Sequence, residues 1–192
     1  NSDQVIVVDA ASCGAGAYDL TAMSEWVMAL ETFPAPHYLP YFVYSELDYG
    51  AITDPLTRFF REPYASRIPE LFDGSYENDQ VNSQLNDTIS ALLTADMLAN
   101  FKTGSDYAPL RNALVKNSIT AWNPQALIRF YHGTADVNVP PEQTTLMASR
   151  MLDAGGDPVG VVVVPLEGMN HETGVIPWGI QTINWFNELE NK

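Results

Sequence analysis

From Leu127 onward the chain reads as two successive strand-loop-helix units, and no other feature restricts its fold so strongly. Leu127 to Tyr131 is a short apolar and aromatic run, long enough for a strand and too short for a helix. It opens into the polar loop His132-Gly133-Thr134-Ala135-Asp136. Pro140-Pro141-Glu142 then signals a helix start, with proline in the first turn where its missing N–H costs nothing. Met147, Ala148, Met151 and Leu152 recur at helical spacing until Gly155-Gly156 stops the helix. A second buried strand, Gly160 to Val164, leads to the loop Glu167-Gly168-Met169-Asn170-His171-Glu172-Thr173-Gly174. The final helix presents Ile176, Ile180, Ile183, Phe186 and Leu189 as its apolar face. Units of this kind build a mostly parallel sheet with helices packed on it, and functional groups collect in the loops beyond the strands' carboxyl ends. Asp136 and His171 both fall in such loops.

A third strand is expected at Val5 to Val8. Between about Leu20 and Asn123 no strand is evident, and Thr21 to Leu30, Val81 to Asn100 and Asp106 to Ser118 read as helical. Aromatics and prolines crowd the interval from Phe33 to Tyr64. The expected class is therefore α/β: a partial parallel sheet of about three strands with flanking helices, interrupted by a large helical insertion. Residues 1–19 and 124–192 form the core in this reading, and residues 20–123 form a cap or lid.

Composition removes several classes of function. The formal charge is −15, so the long-range field repels nucleic acid and anionic membrane surfaces. No apolar run approaches the ~18 to 20 residues of a membrane span, and no membrane insertion is expected. The first residues lack the regions of a signal peptide. Cys13 is the only cysteine, which rules out an intrachain disulfide and cysteine-rich zinc sites. Beside glycines it reads as an inert small residue. His171-Glu172 has no second histidine at the zinc-protease spacing, and Gly14-x-Gly16 lacks the third glycine of a dinucleotide loop. No metal or cofactor is expected.

Acid before histidine, each following its own parallel strand, is the order in which serine hydrolases of one fold carry the last two members of their triad. Phe130-Tyr131-His132-Gly133-Thr134-Ala135-Asp136-Val137-Asn138-Val139-Pro140 resembles the acid loop of the α/β-hydrolase family, and Pro165-Leu166-Glu167-Gly168-Met169-Asn170-His171 resembles its histidine loop. Val8-Asp9-Ala10-Ala11-Ser12-Cys13-Gly14-Ala15-Gly16-Ala17-Tyr18-Asp19-Leu20 is similar to the segment that secreted esterases and lipases of the family place after the nucleophile helix. The resemblance implies the C-terminal part of a serine carboxylic-ester hydrolase, with Asp136 as triad acid, His171 as triad histidine and the nucleophile upstream. It also implies an ester or lipid-like small-molecule substrate, and a missing N-terminal segment of the same protein as partner. A secreted, periplasmic or cell-surface location, and a cap that shapes the acyl pocket, belong to the same expectation.

No G-x-S-x-G occurs in the chain, and the nearest approach is Ala10-Ala11-Ser12-Cys13-Gly14. Two alternatives stay open at this level: a small intact hydrolase using Ser12, and a noncatalytic binding module with a hydrolase-derived fold. His132 reads as a residue that orders the acid loop, and His37 as a cap residue without a catalytic role.

Overall fold

The computed structural model describes residues 7–191. They divide into two compact units, one made of the residues up to Asp19 together with those from Ile119 onward, the other Leu20–Ser118.

The first unit is built on a three-stranded parallel sheet of order β1-β2-β3, with β1 Ala10–Gly14, β2 Leu127–Gly133 and β3 Val161–Leu166. In the register Ala11 and Cys13 stand beside Ile128 and Phe130, which stand beside Val161 and Val163. Side chains alternate between faces along a strand, so this set shares one face. It packs on Met147, Ala148 and Met151, which line one side of the helix Glu142–Asp153. The opposite face carries Ser12, Gly14, Arg129 and Tyr131. It receives the helix Val175–Glu190 through Trp178, against Gly14, and Trp185, whose ring lies 4.5 Å from the Arg129 guanidinium.

Two expectations change here. The first strand among the described residues is Ala10–Gly14, after the expected segment. Val5 and Ile6 lie outside the described residues, while Val7 and Val8 are exposed and in no strand. Packing decides against β-propensity, because a side chain on Gly14 would overlap the Trp178 ring. The segment that pairs is therefore the small-residue one, Ala-Ala-Ser-Cys-Gly. The last helix is also rotated from its expected setting. Ile176, Ile180 and Ile183 are 72%, 56% and 62% exposed, whereas Trp185 is 4% exposed. Trp178, Thr182 and Trp185 also recur at helical spacing, and the sheet offers each a specific seat: Gly14 under the Trp178 ring, Ser12 against Thr182 and Arg129 beside Trp185.

The second unit is helical, and no named strand occurs among its described residues; only the bridges Thr32 to Thr88 and Phe60 to Leu93 are strand-like. Its core gathers Phe33, Phe59, Phe60, Phe101, Tyr107 and the aliphatics around them. Leu20–Ala29 and Ala108–Asn117 are helices near the expected bounds. The Phe33 to Tyr64 interval holds the helices Tyr38–Asp48 and Leu56–Phe59. In the first, Pro40 sits in the opening turn, where an N–H has no acceptor anyway. The single helix expected over Val81 to Asn100 is instead three short ones, Asn78–Asn82, Ile89–Leu92 and Ala95–Asn100. The Asn86 side chain accepts the Thr88 N–H, and Thr94 caps the third helix by accepting the Met97 N–H. Such side-chain bonds favour turns and caps over a continuous helix.

Candidate active site

Both predicted site residues lie at the carboxyl ends of the strands, and the structure brings them together. Asp136 follows β2 and His171 follows β3. His171 Nδ1 is 2.8 Å from Asp136 Oδ2. A carboxylate oxygen only accepts, so Nδ1 carries the proton in the neutral imidazole and Nε2 keeps its lone pair. Nε2 has no hydrogen-bond partner among the described residues, and the His171 side chain is 30% exposed.

The backbone explains why the loops meet. A Cβ on Gly133 would collide with the Met169 carbonyl, so only glycine permits β2 to end against the histidine loop. Thr134 N–H donates to Leu166 O at 3.1 Å and Ala135 N–H to Met169 O at 3.0 Å. Gly168 N–H donates to Thr134 Oγ1 at 2.8 Å. Asn170 stiffens the next turn: its Oδ1 accepts the N–H groups of Glu172 and Thr173, at 3.1 and 2.8 Å. His171 is thus held between backbone-bonded neighbours.

Asp136 is fully satisfied. Oδ1 accepts the N–H groups of Asn138 and Val139, each at 2.9 Å. Oδ2 accepts from His171 and lies 3.3 Å from His132 Nε2. Burial by itself pushes this carboxyl up. The hydrogen bonds from His132, the Val139 N–H, His171 and the Asn138 N–H outweigh that effect and hold it at about 2. The acid is therefore ionised wherever a histidine would work as a base.

A cavity of about 170 Å³ adjoins this pair, lined by Gly14, Ala15, Tyr131, Asn170, His171 and Trp178 among others. Ala15, just past β1, has φ 45°, a left-handed setting that a non-glycine residue adopts at a cost of roughly 1 kcal/mol. The Tyr131 hydroxyl is buried with no hydrogen-bond partner among the described residues. Neither feature has a signature in sequence. His132, read from sequence as ordering the acid loop, does bond into it at the Val139 carbonyl, 2.9 Å away; its 3.3 Å approach to Asp136 has no signature beyond the spacing of four residues.

The remaining candidates lie elsewhere. Ser12 is in the middle of β1; its hydroxyl accepts the Trp178 indole N–H at 2.9 Å and pairs with Thr182 Oγ1 at 2.6 Å. Neither neighbour is a base. Burial raises the Cys13 thiol, and a hydrogen bond from Tyr18 offsets this only in part, so little thiolate forms near neutral pH. His37 belongs to the helical unit, where it is buried and bonded to Asn82. Among the described residues no group of three or more His, Cys, Asp or Glu side chains is placed to hold a metal ion.

No family model and no curated relative matches the chain. Solved structures do. A "putative hydrolase" of Legionella pneumophila superposes on 97% of this chain and 49% of its own length, with a TM-score of 0.83 at 20% identity. The rice cell wall degrading esterase LipA of Xanthomonas oryzae matches 86% of this chain and 45% of its own, with a TM-score of 0.68 at 20% identity. A ligand-bound form of that esterase gives the same values. The chain thus spans about half the length of the structures it matches, and what it shares with them is a hydrolase-like fold: parallel strands in one open sheet with flanking helices.

Proposed function

We propose that this chain is the C-terminal portion of a serine carboxylic-ester hydrolase, in which His171 is the general base and Asp136 orients it. The observation that carries the reading is the 2.8 Å contact between His171 Nδ1 and Asp136 Oδ2, with Nε2 left unpartnered beside a cavity. In such a reaction Nε2 takes the proton of a serine hydroxyl as that oxygen attacks the ester carbonyl. It then returns the proton to the departing alcohol. Asp136 fixes the tautomer that exposes Nε2 and stabilises the imidazolium formed in between.

The serine and most of the oxyanion hole would come from a preceding segment of a longer protein, because hydrolases of this type build the hole from the residue after the nucleophile and from an early loop. The matched structures have about twice the length aligned here, which leaves room for that segment. Ser12 fits the nucleophile role poorly, since Trp178 and Thr182 occupy its hydroxyl. The esterase among the structural neighbours supports an ester as the substrate class.

The test is turnover of p-nitrophenyl esters. The 192-residue chain should show none by itself, while the longer protein should be active and lose activity by about 10³-fold or more in His171→Ala. Robust turnover by this chain alone, abolished by His171→Ala and accompanied by fluorophosphonate labelling of Ser12, would replace the proposal with a small intact hydrolase. A longer protein that binds esters without turning them over would point to a binding module.

A further inference from the structure

We propose that His132 is a positioning residue: its Nε2–H holds the Asp136 carboxylate in the orientation from which Oδ2 accepts the His171 Nδ1–H. The label of triad acid for Asp136 rests on the reading above, but the geometry and its test do not. His132 is the penultimate residue of β2, on the sheet face opposite Tyr131, and is 3% exposed. Its Nε2 is 2.9 Å from the Val139 carbonyl oxygen, an atom that can only accept, so Nε2 carries a proton in either charge state of the ring. Asp136 Oδ2 lies 3.3 Å from the same nitrogen, a longer contact on the flank of the bond to Val139 O.

The other end of the ring is fixed as well. Nδ1 lies 2.6 Å from Thr144 Oγ1. Thr144 is 0% exposed and belongs to the helix Glu142–Asp153, which packs on the same sheet face. The imidazole is thereby pinned between a helix and the acid loop, and it cannot turn without breaking a bond at one end. Asp136 needs this restraint. Rotation about the Cβ–Cγ bond swings both carboxylate oxygens together, so the two backbone N–H groups on Oδ1 restrain that torsion from one side only. His132 Nε2 supplies the second fixed point, and the bond to His171 completes it. A buried carboxylate with several donors is held far more firmly than one with a single donor.

A histidine that only fills the core would leave the bond from His171 to Asp136 untouched when replaced, so the two roles separate experimentally. The measurement is the His171 Nδ1–H proton resonance of the full chain by NMR, which a bond to a buried carboxylate shifts downfield and protects from exchange. His132→Gln, whose amide nitrogen reaches the position of Nε2, should retain it. His132→Leu should lose it. Thr144→Val leaves the imidazole in place but frees its far end, and exchange should quicken about tenfold, the ratio expected when one charge-assisted hydrogen bond is loosened. Retention of the resonance in a folded His132→Leu protein would overturn the proposal. If that variant does not fold, unchanged exchange in Thr144→Val would overturn it equally. Loss in the Leu variant with rescue by Gln would support it even if the longer protein had no esterase activity, in which case only the functional reading falls.

Discussion

Asp136 ties the stability of the sheet unit to pH. Its carboxyl titrates at about 2 in the folded chain against an ordinary value of 3.8, so the folded state holds its ionised form more tightly than the unfolded state does. The stabilisation is fully present above about pH 4 and disappears as pH falls through about 2. Its size is roughly 2 kcal/mol. Unfolding free energies measured from pH 6 down to pH 2 should show this loss in the unaltered chain, and Asp136→Asn should remove that part of the slope. Identical slopes would mean that the acid-loop hydrogen bonds do not favour the ionised form. The pair itself was legible in sequence because a glycine after the strand, an Asp in the loop and a His one unit later form a local pattern. For His132 the loop-ordering role was legible, but its approach to Asp136 was not, since that depends on Thr144, which reaches it only after a helix has packed on the sheet.

The last helix shows why the element scale is harder to read than the motif scale. It carries two stripes at helical spacing, Ile176-Ile180-Ile183 and Trp178-Thr182-Trp185, and periodicity gives both the same standing. The sheet chooses the second: Gly14 accepts the Trp178 ring, Arg129 stacks on Trp185 and Ser12 receives the indole N–H. Trp185→Ala should therefore destabilise the chain by about 3 kcal/mol through the cavity it leaves. Ile180→Lys should change stability by no more than about 0.5 kcal/mol, as expected at an exposed position. Thermal or denaturant unfolding of the two variants decides between the faces, and a reversed ranking would show that the isoleucine stripe is the packed one. The short helices between Asn78 and Asn100 escaped sequence reading for a related reason. Asn86 and Thr94 act through side-chain bonds to their own backbone, and a count of apolar residues does not register those.

At the scale of the whole molecule, both outer strands of the sheet, β1 and β3, are paired on one side only among the described residues, and β1 reaches the site's cavity at Gly14. β1 pairs with β2 and with no other strand. Asp9 O accepts the Leu127 N–H and Ala15 N–H donates to Tyr131 O, at 2.9 and 2.8 Å. Backbone groups alternate in direction along a strand, so Ala11 and Cys13 also face β2, while Ala10, Ser12 and Gly14 turn their N–H and C=O groups away from it. An edge of this kind invites strand addition. If the longer protein places its nucleophile-bearing strand there, the two sets of amides should behave differently in hydrogen exchange. In this chain alone the Ser12 and Gly14 amides should exchange quickly and the Cys13 amide slowly. In the longer protein all should be slow, with Ser12 and Gly14 gaining protection that Cys13 already has. The exposed isoleucines of the last helix supply an apolar face that such a segment could cover, and if it does, Ile180→Lys should weaken its association while leaving this chain folded. Equal protection of Ser12 and Cys13 in the isolated chain would show that the outer edge is already occupied, and would remove the place proposed for a further strand.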